Sequence, residues 1–172
     1  MNAETTLIVG ANGQLSQALQ TKYPNAKVVG SHIMDISSQE KIEAFDWTGI
    51  KTIINAGAYT NVDGAERPEG RISSWKINAI GAANLARVAI QNDFTLVHIS
   101  SDYVFDGTIS PHTEKEDFSP LGIYGQSKAA GDIAVSLVHK HYILVIRTLQ
   151  HHVQYSYIHH SAYYSDRIHD QR

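Results

Sequence analysis

Five short β-rich runs recur along the chain, and a helical pattern follows each of the first four. The runs are Thr6 to Val9, Val28-Val29, Thr52-Ile53-Ile54, Phe94 to Ile99 and Tyr142 to Ile146. Between them, helical patterns place Leu15, Ala18 and Leu19 on one face, run from a Ser37–Glu40 capping box to Phe45 and from Ile72 to Gln91, and continue from Tyr124 to about His139. Strands alternating with helices predict a parallel sheet with helices on both faces. Right-handed crossovers make it a Rossmann-type, doubly wound α/β sheet, expected in the order 3-2-1-4-5. The 172 residues suffice for one such domain and one core.

Composition removes several function classes. A net charge of -3 gives no electrostatic reason to expect nucleic acid or an anionic membrane as partner. Cysteine is absent, which excludes disulfides, thiol nucleophiles and Cys-based zinc sites. No apolar run approaches the roughly 20 residues of a membrane span. Polar Asn2, Glu4, Thr5 and Thr6 lead straight into a strand, unlike a signal peptide, so a cytoplasmic location is expected.

The first strand breaks at Gly10-Ala-Asn12-Gly13-Gln14-Leu15-Ser16 and a helix follows. Glycines there permit a tight turn and a close backbone approach to a pyrophosphate, and a helix N-terminus offers unpaired N–H groups. Ser16 is small enough for close helix–strand packing. After the second strand, Gly30-Ser31-His32 holds no acidic residue to bind an adenosine ribose; Asp35 comes slightly later. The missing carboxylate removes a repulsion against a 2′-phosphate and favours NADPH, or mixed use of NADH and NADPH, over strict use of NADH. The third strand ends in small residues, Asn55-Ala56-Gly57-Ala58, which suit close approach to a ligand. Asn78, within the long helical pattern, reads as solvent-facing.

Residues Val97 to Lys128 carry the chemistry. A strand delivers Ser100 and Ser101, and a helix opening near Tyr124 carries Lys128 four residues on, on the same face. A cation beside the phenol is expected to lower its pKa and equip it as a proton donor near neutral pH. The hydroxyl of Ser101 can reach the same space. Tyr23 and Lys27 share the spacing, but Pro24 between them argues against a helix. The polar loop over residues 108–120 is placed to carry part of a ligand rim.

Together these blocks resemble the extended short-chain dehydrogenase/reductase superfamily, and within it the dTDP-4-dehydrorhamnose reductases. The likeness lies in G-A-N-G-Q-L (10–15), I-N-A-G-A-Y-T-N-V-D (54–63), H-I-S-S-D-Y-V-F-D-G (98–107), P-L-G-I-Y-G-Q-S-K (120–128) and I-R-T (146–148). The resemblance implies an NAD(P)-binding Rossmann domain over residues 1–148. It implies NADPH-dependent reduction of the C4 keto group of a nucleotide-linked 6-deoxy sugar, with NADH as a second cofactor. Gly10, Asn12, Gly13, Gln14 and Leu15 would hold the pyrophosphate end, Asp35 and Ile36 would flank the adenine, and Gly57, Ala58 and Tyr59 would line the nicotinamide side. Tyr124 would protonate the sugar oxygen and Lys128 would bind the nicotinamide ribose. Ser101 would polarise the carbonyl, with Val62, Asp102 and Tyr103 at the substrate. A homodimer is among the assemblies the resemblance allows.

The likeness breaks off at residue 148, where Leu149 and Gln150 stand in place of the family's Ser-Trp. Residues 149–172 then read as an atypical tail, disordered or out of frame, with the family's C-terminal substrate domain and its sixth strand missing. An inactive fragment is one consequence. A non-catalytic NADP-binding regulatory subunit, resembling that of methionine adenosyltransferase, is the alternative. From residue 151 on there are five histidines, but His151-His152 and His159-His160 are adjacent pairs that point different ways, with no Cys or carboxylate frame, so no metal site is expected.

Overall fold

A computed structural model of the chain describes residues 2–149 and 152–160, with side chains through residue 146. The five expected strands are present: β1 (Thr6–Val9), β2 (Lys27–Val29), β3 (Thr52–Asn55), β4 (Thr95–Ser101) and β5 (His141–Leu149). Helices α1 (Gln14–Lys22) and α2 (Gln39–Ala44) follow β1 and β2. After β3 come α3 (Val62–Ala65), α4 (Pro68–Ser74) and α5 (Ala82–Asn92), and α4 runs into α5 through a π-helical turn, Trp75–Gly81. Helix α6 (Ile123–Val135) joins β4 to β5.

All pairings among these five strands are parallel, in the order β2-β1-β3-β4-β5. The expected order 3-2-1-4-5 is therefore corrected: β3 lies between β1 and β4. The reason is burial. Three of the four β3 residues are buried, whereas β2 is short and opens with the exposed Lys27. An edge position suits β2 and would expose β3 to water.

Alternation along the strands sorts the core into two faces. Leu7, Ile53, Leu96 and Ile143 point to the side covered by α2, α5 and α6, with Ile42, Leu85 and Val135 among their partners. Ile8, Ile54 and Val97 point to the other side, against Leu19 of α1.

Two local readings change. The helix expected to start at a Ser37–Glu40 capping box is capped one residue later, by Ser38. Ser37 is diverted: its N–H and hydroxyl both donate to Asp35 Oδ1, at 2.9 and 2.8 Å. The second change concerns the tail, where no strand period is legible. Residues His152–His160 form β6, antiparallel to β5, and cover the edge expected to stay open. Unpaired backbone along β5 is satisfied by the pairing, and Val153, Tyr155, Tyr157 and Ile158 have high β-propensity. Residues 161–172 and the side chains of the four paired histidines lie outside what is described. Among the described residues no helix is long and apolar enough to cross a membrane.

Candidate active site

The strand order reverses between β1 and β3, and the turns that leave these two strands meet there. Gly10 has φ +97°, and a Cβ on it would fall 2.7 Å from Gly57 Cα. Only glycine fits both the backbone and the space. Open α/β sheets bind ligands in this kind of crevice, at the carboxyl ends of the strands. Helix α1 begins beside it at Gly13 without a side-chain cap, so its first amides are left for a ligand or solvent. Gly13, Gln14 and Asn12 are exposed and Leu15 is half-buried. Ser16 is fully buried and its hydroxyl has no hydrogen-bond partner. A glycine cradle, an uncapped helix start and an orphaned hydroxyl together fit a pyrophosphate. Farther along, Asp35 Oδ1 is taken by Ser37, and Ile36 is buried with its carbonyl accepting from Asn84 Nδ2 at 2.8 Å.

The turn after β3 is held from two directions. Gly57 N–H donates to Asn55 Oδ1 at 3.2 Å. Tyr59 is clasped by Asn78, whose Oδ1 accepts from Tyr59 N at 2.9 Å while its Nδ2 donates to Tyr59 O at 3.2 Å. Asn78 is 1% exposed, on the π-helical turn, and also donates to Ser127 Oγ of α6 at 3.1 Å. The solvent-facing reading of Asn78 is thus overturned. Its signal lay in the spacing, since Asn78 shares a stripe with Ala82 and Leu85, both fully buried.

Tyr124 and Lys128 both lie buried on α6, at 8% and 2% exposure. The expectation that Lys128 lowers the Tyr124 pKa is corrected. Lys128 Nζ is held under β4, donating to Ile99 O at 2.6 Å, and it is not among the charges that move the phenol. Burial pushes Tyr124 above the usual tyrosine range, with the Asp102 charge adding to it and a hydrogen bond with Ser101 opposing it. The phenol therefore stays protonated across neutral pH. Burial pushes Lys128 below the usual lysine range, opposed by the charge of Asp132.

A cavity of about 550 Å³ opens at Tyr124, lined by Val62, Glu66, Asp102, Tyr103 and, from the loop over residues 108–120, His112. Tyr103, 52% exposed, packs edge-on against Tyr124 at 5.5 Å. Ser101 Oγ reaches Asp102 Oδ1 at 3.2 Å. The structure thus brings Val62, Ser101, Asp102, Tyr103 and Tyr124 together, and places Gly10, Gly13 and Gly57 at the crevice between β1 and β3. Glu66 is a residue the sequence did not single out. Its Oε1 accepts from Ile123 N at 2.7 Å and caps α6, whose N-cap Gly122 has no side chain to do so. The sequence signal was only that absence of a cap.

A five-stranded parallel arrangement with a glycine crevice at its switch point defines a Rossmann-type α/β fold. Residues 4–157 match the family model described as the RmlD substrate binding domain, and the chain belongs to that family. It is 34% identical over 142 residues to a dTDP-4-dehydrorhamnose reductase of Mycobacterium tuberculosis, covering 77% of this chain and 46% of the relative. It is 37% identical over 135 residues to a dTDP-4-keto-6-deoxy-D-glucose reductase of Streptomyces niveus, covering 75% and 46%. Among solved structures, a dTDP-4-dehydrorhamnose reductase of Bacillus anthracis in complex with NADP superposes with a TM-score of 0.75 at 34% identity, covering 83% of this chain and 52% of that one. The chain spans about half the length of the curated relatives it matches.

Proposed function

We propose that this chain carries the cofactor half of an NADPH-dependent reductase acting on the C4 keto group of a dTDP-linked 6-deoxy sugar, working in the cytoplasm. The observation that carries the reading is the meeting of Tyr124 and Asp102 at one cavity, with Ser101 hydrogen-bonded to Asp102 beside it, in a sheet whose switch-point crevice is built from Gly10 and Gly57. When bound, the nicotinamide supplies the hydride. The chain's own residues do the rest. Gly10, Asn12, Gly13, Gln14 and Leu15 hold the pyrophosphate, with the Ser16 hydroxyl behind them. Asp35 and Ile36 flank the adenine. No carboxylate stands at Gly30-Ser31-His32, which leaves the ribose end tolerant of a 2′-phosphate. Gly57, Ala58 and Tyr59 form the nicotinamide wall, fixed by the Asn78 clasp. Ser101 polarises the sugar carbonyl by hydrogen bonding, Tyr124 donates its proton to the developing alkoxide, and Lys128 binds the nicotinamide ribose. Val62, Asp102 and Tyr103 contact the sugar.

The dTDP-4-keto-6-deoxy sugar is supplied with NADPH to the full chain and to Tyr124→Phe, and oxidation of NADPH is followed by absorbance. The variant is expected to lose turnover by about 10²-fold or more while keeping its NADPH affinity, read by fluorescence titration. Undiminished turnover in the variant would overturn the assignment. NADPH binding without turnover by the unmodified chain would favour the regulatory reading.

A further inference from the structure

One buried polar chain links the cofactor-side turn to the tyrosine helix and is not used by the proposed chemistry. It begins at Gly57, whose N–H donates to Asn55 Oδ1. That bond turns the Asn55 amide nitrogen toward His98, and Nδ2 lies 2.9 Å from His98 Nδ1. His98 Nδ1 must therefore accept, so a neutral ring carries its proton on Nε2. Nε2 lies 3.3 Å from Asp132 Oδ1. Asp132 Oδ1 has no other hydrogen-bond partner. Ser100 Oγ donates to the other carboxylate oxygen. Asn55, His98, Ser100 and Asp132 are each at most 2% exposed. Lys128 Nζ sits 3.4 Å from His98 Nε2, and Asp132 follows Lys128 by one helical turn.

Groups this deeply buried cost stability unless their pairing is maintained. A His and an Asp kept here beside the only other buried charge of α6, Lys128, indicate a specific arrangement. Burial and the Lys128 charge hold His98 below the usual histidine range, in its neutral form.

We infer that His98 and Asp132 are positioning residues that couple the Asn55–Gly57 turn to α6, so that the nicotinamide wall and the Tyr124 helix hold their places together. The coupling itself stands on the ligand-free geometry; only its consequence for NADPH rests on the function proposed above.

Amide hydrogen exchange on the full, ligand-free chain tests it in a double-mutant cycle of His98→Ala and Asp132→Ala. Each single variant is expected to speed exchange over residues 55–60 by about fivefold or more, with residues 27–29 of β2 unchanged. Asp132 makes its polar side-chain contacts to His98 and Ser100 rather than to that turn, so if its effect passes through His98 and not through the α6–Asn78 contact, the double variant is expected to exchange no faster than His98→Ala alone. His98→Asn restores an acceptor for Asn55 and is expected to recover slow exchange. Equal acceleration across the sheet, strictly additive effects, or no change at residues 55–60 each overturn the inference. Should Asp132→Ala fail to fold, the near-isosteric Asp132→Asn takes its place under the same criteria. NADPH titration completes the test. His98→Ala is expected to weaken binding about fivefold or more. Failure of the unmodified chain to bind NADPH overturns the proposed function and leaves the coupling to be decided by exchange.

Discussion

Tyr124, Lys128 and Asp132 follow one another at four-residue steps on α6, and the stripe they form is almost wholly withdrawn from water. Burial acts on each ionisable group according to its charge type. It raises Tyr124, whose neutral form carries the proton, and lowers Lys128 and His98, whose neutral forms lack it. The His98 shift has a consequence for stability. Below the ordinary histidine value of 6.5 the unfolded chain takes up a proton that the folded ring, held lower, refuses. Stability contributed by neutral His98 is therefore complete above about pH 6.5 and is lost as pH falls toward its folded value. The groups that face the ring are Asn55 from β3 and Lys128 and Asp132 from α6. His98→Gln, which does not titrate, is expected to flatten the acid limb of a Tm-against-pH curve between about pH 5 and 7. An unchanged slope in that variant would show that other groups produce the acid limb.

At the scale of elements, α6 is pressed against the π-helical turn more tightly than side chains allow. A Cβ on Gly131 would collide with the Asn78 carbonyl oxygen, and one on Gly125 with that of Tyr103. Gly131→Ala forces α6 off the turn that holds Tyr59. It is expected to destabilise the chain by about 1–3 kcal/mol as an overpacking change, read as a lower urea midpoint, and to weaken NADPH binding with it. A midpoint unchanged within error would mean that the two helices have room to separate. The elements were largely legible because strands and helices leave different periods in the sequence, and the glycine turn and the Tyr124–Lys128 pair were found from that pattern. The π-helical turn was not legible. Its widened register leaves the small-residue stripe of Ala79, Ala82 and Ala86 intact, so a period-3.6 reading passes over it. The Ser37 cap failed for a local reason, since Asp35 takes the Ser37 N–H that a capping box would give to Glu40 and turns the Ser37 hydroxyl toward itself. The expected lowering of the Tyr124 pKa failed because helical spacing places two side chains on one face without saying that Lys128 reaches beneath the neighbouring strand.

For the whole molecule, strand order was the feature least determined by local pattern, because every parallel order uses the same strands. It became readable only through burial, with exposed Lys27 assigning β2 to the edge. That order matters for function, since it puts the turns after β1 and β3 side by side and makes the glycine crevice a property of the assembled sheet. A ligand that bridges the two turns binds the folded chain and not the unfolded one, so it must raise the unfolding temperature. NADPH at about 100 times its Kd contributes roughly 2.7 kcal/mol. At about 2–4 °C per kcal/mol for a chain of this size, Tm should rise by about 5–10 °C. NADH at the same concentration should give a smaller shift, because no carboxylate stands at Gly30-Ser31-His32 to select a free 2′-hydroxyl. Gly10→Ala should abolish both shifts, because its Cβ enters the space of Gly57 and its backbone cannot easily keep φ at +97°. Differential scanning calorimetry of the two proteins with each nucleotide makes the comparison. A shift that survives Gly10→Ala would place the nucleotide somewhere other than the crevice between β1 and β3.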